Sequence, residues 1–139
     1  MKQLLPFRLG GETYALELGV IQEVVENQRI YDFPGTAPVI AGAIGFHGRI
    51  VPVIDLSALL DFPSGNLCNR LIVLTNEQGP VALGTDQVLP IIACERVRVE
   101  QPQNSAEQRY IREIIDWDGQ MIGLFDLEEL QLELESLCV

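Results

Sequence analysis

Apolar residues in this chain come in short bursts, each closed by glycine, proline or a charged pair, a rhythm that fits strands better than helices. Residues 4–9 and 13–18 are two such bursts around Gly10-Gly11, a strong turn signal, and they read as paired strands. In the following GVIQEVVEN, Val20, Ile21, Val24 and Val25 fit one helical face, with Gln22, Glu23 and Glu26 on the other. The β-branched content there predicts a short helix that runs into a strand. Residues 32–38 hold two prolines and a glycine and read as loop. Residues 43–46 and 49–54 then flank His47-Gly48, a two-residue hairpin turn with Gly where φ is positive. Ile50, Val51, Val53 and Ile54 are apolar on both sides of the pleat, which predicts burial on both faces. Pro52 cannot donate to a ladder, so this strand is expected at an edge or bulged there. Asp55 is placed to cap a short helix over 56–60.

The segment FPSGN at 62–66 is the clearest internal boundary, and the plan then begins again. Strands are expected at 71–75, 81–84 and 97–100, a polar loop (QPQNSAEQ) at 101–108, and strands at 111–117 and 120–125 around Asp118-Gly119. Asp126 is placed to cap a final helix, where Leu127, Leu130, Leu134 and Leu137 form a core-facing stripe and Glu128 and Glu129 sit in the first turn. GFHGRIVPVIDL and DWDGQMIGLFDL are two copies of one motif at a constant offset of 71 positions, with Ile44 over Ile115, Gly48 over Gly119 and Asp55 over Asp126. TYALELGVIQEVV likewise lies over PVALGTDQVLPII, so that Ala15 meets Ala82 and Ile21 meets Val88. We therefore expect one domain over 1–139 made of two similar halves, 1–62 and 66–139, built mainly of β-strands as small barrels. Repeats this short bury their apolar faces against each other.

Composition narrows the function. The chain has 139 residues, 47 % of them hydrophobic, enough for a core without staples. Its net charge of −11 disfavours nucleic acid and anionic membranes as partners. Cys68, Cys94 and Cys138 are scattered and His47 is the only histidine, which supports neither a disulfide framework nor a zinc cluster. The N-terminal apolar stretch is interrupted at once by Pro6 and Arg8, so no signal peptide or membrane span is expected, and the cytoplasm is the expected address.

Catalytic material is thin. No nucleophile elbow, zinc-protease motif or phosphate-binding glycine loop occurs. Asp55 and Asp126 resemble paired carboxylates, but each stands at a predicted helix start, the ordinary place for a capping aspartate. His47 reads as an exposed turn residue or as a partner contact; a small hydrolase using His47 with an aspartate is the rival from another class. Binding has more behind it. The segments around Ile21 and Val88 correspond in the two halves, and side by side they could border an apolar groove with an acidic rim that accepts a helix. The plainer alternative places both residues in the core.

The blocks FRLGGETYALE, VIQEV, AGAI, GRIVPVIDL and ALGTDQV resemble the CheW-like domain family over nearly the whole chain, with GRIVPVIDL the most specific part. That family comprises the chemotaxis coupling protein CheW and the regulatory domain of the histidine kinase CheA. The resemblance implies two intertwined five-stranded, SH3-like barrels with short helices and a C-terminal helix. It also implies no enzyme activity and no cofactor or metal, and a scaffold role in a two-component system, tying chemoreceptor tips to a CheA-type kinase. Carried over by motif position, Ile21 and Val88 line the receptor-facing groove, Glu23 is the acidic residue near the contact surface, and Gly42 is the glycine that opens the hairpin. Where the family usually reads Asn-Leu-Arg-Gly, this chain reads Gly45-Phe46-His47-Gly48. A fork-shaped cation is replaced by a smaller titratable ring, which points to a variant partner, or to a divergent regulator that binds one partner in another two-component pathway.

Overall fold

The computed structural model describes residues 2–32, 38–62, 69–75, 81–95, 98–100 and 109–137, with 98–100 and 137 as backbone only. The order is β1 (Lys2–Leu9), β2 (Glu12–Glu17), a 3-10 turn (Leu18–Val20), β3 (Ile21–Glu26), β4 (Ile40–Phe46), β5 (Arg49–Asp55) and α1 (Leu56–Leu59). Then follow β6 (Arg70–Leu74), β7 (Ala82–Gly84), β8 (Gln87–Val88), β9 (Ile92–Cys94), β10 (Arg98–Glu100), β11 (Ile111–Trp117), β12 (Gln120–Phe125) and α2 (Leu127–Leu137). The boundary at 63–66, the loop at 101–108, Cys68 and Cys138, and the middle of the 32–38 loop lie outside the described residues.

These strands form two sheets, one ordered β3-β6-β7-β5-β4 and the other β10-β11-β12-β2-β1-β8, with β9 also on β1. The two orders are one plan executed twice, with strands exchanged. In β1–β2 Leu5 faces Leu16, as Ile72 faces Leu83 in β6–β7. Val88 faces Phe7 on β1, as Ile21 faces Leu74 on β6. The parallel pair Leu124–Ala15 joins β12 to β2, as Val53–Ala82 joins β5 to β7. Each sheet thus takes a strand pair from one repeat of the sequence and the remaining strands from the other.

Apolar burial follows the same symmetry. Val25, Ile44, Phe46, Val51, Val53, Leu71, Val73 and Ala82 fill the inside of the first sheet. Leu4, Ala15, Cys94, Ile115, Ile122 and Leu124 fill the second, and the Cys94 thiol is free and buried there. The largest cluster lies between the sheets, where Leu5, Phe7, Tyr14 and Leu16 meet Ile54, Ile72, Leu74, Leu83 and the helix residues Leu56 and Leu130. Phe7, Tyr14, Tyr110 and Phe125 pack there as a chain of ring contacts.

Local chemistry accounts for the corners. Both hairpin copies turn through two positive-φ residues, His47 (49°) with Gly48 (75°) and Asp118 (51°) with Gly119 (80°). That backbone matches the right-handed twist of the flanking strands. Asp55 caps α1 by accepting from the Ser57 and Ala58 amides, and Asp126 caps α2 by accepting from the Glu128 and Glu129 amides. Each cap satisfies donors that the first helical turn leaves open. On α2, Leu130 is buried and Leu127 and Leu134 pack on the central cluster, as their spacing predicts.

The short helix that runs into a strand is present as the 3-10 turn Leu18–Val20 followed by β3, and pairing with β6 overrides the helical period from Ile21 on. Two expectations are corrected. Ile50 is 74 % exposed rather than buried. Among the described residues, the outer face of β5 reaches the central core only at Ile54, and none covers it at the hairpin end. Pro52 is on an interior strand, between β7 and β4, and the register shift lies across the ladder on β4. Counted from the turn, Ala43↔Pro52 is a pair that exchanges no hydrogen bonds. Ala43 directs its N–H and C=O to Tyr31 on the other side (both 2.8 Å), so Pro52 removes no donor that β4 needs.

Candidate protein-binding surfaces

Glu23 and His47 belong to opposite ends of the first sheet's strand order, yet the structure brings them together. Glu23 Oε1 lies 3.6 Å from His47 Nε2, both side chains at least half exposed. The sheet curls until its first strand and its last hairpin touch, and Val25 of β3 shares a core with Ile44 and Phe46 of β4 for the same reason. His47 sits at the tip with positive φ, a conformation histidine tolerates better than most side chains. Its ring packs edge-on against Phe46, centroids 4.2 Å apart. Beside it opens a cavity of about 230 Å³ with an apolar floor of Phe46, Val51, Val73 and Leu74 and a polar rim of Gln22, His47 and Arg49. The hydrolase reading requires an aspartate next to His47. The carboxylate found there is Glu23, and the cavity's lining holds no serine, cysteine or aspartate among the described residues.

The remaining motif positions fall elsewhere. Ile21 is half-buried at the start of β3, and Val88 is buried on β8 with 8 % exposure; both pack on the central cluster, at equivalent places in the two units. The groove between β2, β12 and the start of α2, about 110 Å³, is lined by Val20, not Ile21, together with Leu16, Leu124, Phe125 and Leu127. Its rim carries Glu17, which takes both Lys2 (2.9 Å) and Arg112 (3.4 Å). Gly42 is buried at φ 149°, and a Cβ there would stand 2.4 Å from the Tyr31 carbonyl oxygen. Only glycine lets residues 30–31 lie against β4.

Asp86 is not singled out by the sequence. Its carboxylate accepts from the Gly10 amide (2.8 Å) and the Ser57 hydroxyl (2.9 Å), tying the β1–β2 turn to α1. No local pattern signals this, because its partners lie 76 and 29 positions away. Arg109 was missed as well. Its guanidinium bridges Glu129 (3.2 Å) and Glu133 (3.1 Å) on α2, and those hydrogen bonds, Glu129's first, hold its pKa above the ordinary value. The neighbouring Tyr110 hydroxyl is pushed up mainly by burial.

Two exchanged β-units stand around a shared core and present exposed hairpins, the form of a β-rich module with surfaces open to a partner. Residues 3–134 match the model of the CheW-like domain, and the chain belongs to that family. It is similar to a probable chemotaxis protein CheW of Rhizobium etli, 26 % identical over 97 % of this chain and 90 % of that protein. It is also similar to chemotaxis protein CheW of Bacillus subtilis, 22 % identical over 97 % of this chain and 89 % of that one. Among solved structures it superposes on the scaffolding protein TtCheW of Thermoanaerobacter tengcongensis with a TM-score of 0.81 and 26 % identity, covering 90 % of this chain and 88 % of that chain.

Proposed function

We propose that this chain is a non-enzymatic adaptor of chemotaxis-type signal transduction, which couples chemoreceptors to a CheA-type histidine kinase. The observation that carries the reading is the family match over residues 3–134 joined to the fold shared with a scaffolding protein. In detail, each unit closes as a small SH3-like barrel built on a five-stranded plan, to which the second sheet adds short strands for a total of seven, and the two intertwine as internal repeats over 1–62 and 66–139. The contact between Glu23 and His47, from opposite ends of one strand order, supports that closure. One barrel docks the CheW-like regulatory domain of the kinase, and the receptor's helical tip packs where the units meet, with half-buried Ile21 as the contact on one unit and buried Val88 supporting the equivalent place on the other. Glu23 and His47 form the polar contact at the β4–β5 hairpin, and Gly42 holds that hairpin's base. The adaptor needs no cofactor. Among the described residues no helix is long and apolar enough to cross a membrane, and the adaptor works in the cytoplasm.

The test is calorimetric titration with the CheW-like regulatory domain of a CheA-type kinase from the same genome, using the wild type and His47→Arg. Micromolar binding by the wild type is the expected result. Absence of binding by both proteins overturns the adaptor reading. Binding only after arginine is restored supports the second reading, a diverged regulator, which rests on the histidine at the hairpin tip.

A further inference from the structure

His47 is the only histidine in the chain, and the structure gives its ring two different neighbours. One is an acid: Glu23 Oε1 of β3 stands 3.6 Å from its Nε2. The other is the cavity of about 230 Å³, with His47, Gln22 and Arg49 on its rim and Phe46, Val51, Val73 and Leu74 in its floor. The charged groups at the ring are thus Glu23 from β3 and Arg49 from β5, while β4 and β6 bring only Phe46, Val73 and Leu74 to this cavity. The positive φ of the turn and the edge-on contact with Phe46, centroids 4.2 Å apart, keep the ring in that place.

The rim is a set of donors. Gln22 brings an amide, Arg49 a guanidinium and His47 a ring N–H, so the group that fits them is an acceptor, and a carboxylate fits best. An incoming carboxylate has to share the ring with Glu23. A neutral imidazole carries one N–H and serves one acid, whereas an imidazolium carries two and serves both, Glu23 through Nε2 and the newcomer through Nδ1. The positive ring also offsets the Glu23 charge that otherwise repels the newcomer. Histidine is the side chain whose charge ordinarily changes between pH 5 and 8, a range in which exposed carboxylates keep theirs.

We propose that His47 makes docking at this hairpin tip proton-dependent: the partner seats an apolar side chain in the cavity and a neighbouring carboxylate on the rim of Gln22, His47 and Arg49, and it binds more tightly as pH falls through the histidine range. The inference rests on the adaptor reading, whose partner is the kinase regulatory domain, and adds the chemistry of the docked group and the condition under which it docks. An arginine at the same position would hold its charge throughout that range. The histidine turns a permanent charge into a conditional one.

The experiment is calorimetric titration of the full chain with the regulatory domain of a CheA-type kinase from the same genome, at about pH 5.5 and about pH 8, using the wild type, His47→Asn and His47→Arg. Asparagine is neutral and accepts a positive φ, so it stands in for the uncharged ring without straining the turn. The wild type should bind about two- to fivefold more tightly at the lower pH, the effect of one exposed ion pair. His47→Asn should lack this gain, and His47→Arg should keep the wild type's acid affinity at both ends. The partner is the same in all titrations, so its own ionisation cancels between the variants. As a second measurement, Glu23→Gln should tighten binding more at about pH 8, where its charge faces a neutral ring, than at about pH 5.5. A wild-type pH dependence no steeper than that of His47→Asn overturns the inference and leaves the adaptor reading standing, as does binding by His47→Arg with none by the wild type at either pH. Absence of binding by all three proteins at both pH values overturns the inference and the adaptor reading together.

Discussion

Replacing Gly42 with alanine separates a structural from a recognitive role for that residue, and its cost can be worked from distances. An alanine Cβ would lie 2.4 Å from the Tyr31 carbonyl oxygen and 2.7 Å from Ile30 Cγ2. The nearer atom is backbone, so the obstacle does not rotate away; residues 30–31 must retreat by about an ångström to reach ordinary contact. That retreat breaks the paired bonds between Tyr31 and Ala43, both 2.8 Å. Two backbone bonds contribute about 0.5–1.5 kcal/mol each. Holding an L-residue at φ 149° adds about 1–3 kcal/mol. The sum is about 2–6 kcal/mol, a large part of the ~5–15 kcal/mol that stabilises a domain. Urea unfolding with a slope near 2 kcal/mol per molar should show a midpoint lower by about 1–3 M. A loss below about 1 kcal/mol would refute the steric argument. Unchanged stability with lost kinase binding would make Gly42 a partner contact instead.

Ile21→Asp should leave the fold largely intact, because Ile21 is only half-buried, whereas Val88→Asp should cost several kcal/mol by burying an unpaired carboxylate; circular dichroism melts of both variants decide this. Asp86→Ala should destabilise by about 1–3 kcal/mol, since it leaves the buried Ser57 hydroxyl without its acceptor and hands the exposed Gly10 amide to water, and Asp86→Asn should recover part of that in denaturant titration. Tyr110 has a raised folded pKa, so its contribution to stability is complete below the ordinary tyrosine value of ~10 and falls away as pH rises through the folded value. Tyr110→Phe should flatten the alkaline limb of stability against pH, and an unaltered slope would remove the tyrosine as its cause.

Features that depend on a few neighbouring residues are legible in the sequence. The hairpin turns follow from His47-Gly48 and Asp118-Gly119, and the helix starts from Asp55 and Asp126. The repeat is legible too, because two equal folds require equal patterns. What fails depends on distant partners. Ile50 obeys the strand alternation, but whether an outward face is covered is decided by the other sheet, which reaches only Ile54. Val20 to Val25 follows a helical period and does not alternate as a strand would, and pairing with β6 makes it a strand with a register shift between Ile21 and Glu23. The proximity of Glu23 to His47 depends on the curl of the whole sheet, while the work of Asp86 depends on residues from two other segments.

The exchange of strands between the repeats has a mechanical consequence. β2 ends at Glu17 in one unit and β3 begins at Ile21 in the other, with only three residues between them. A polypeptide cut within 63–66 would not yield two modules, since each fragment would leave part of its own sheet behind on the other. The fragments should be inert apart and reconstitute one body when mixed. Tension applied at one hairpin is borne by both units, and neither can melt while its neighbour stays whole. Anything that grips one unit therefore holds the other in the same grasp.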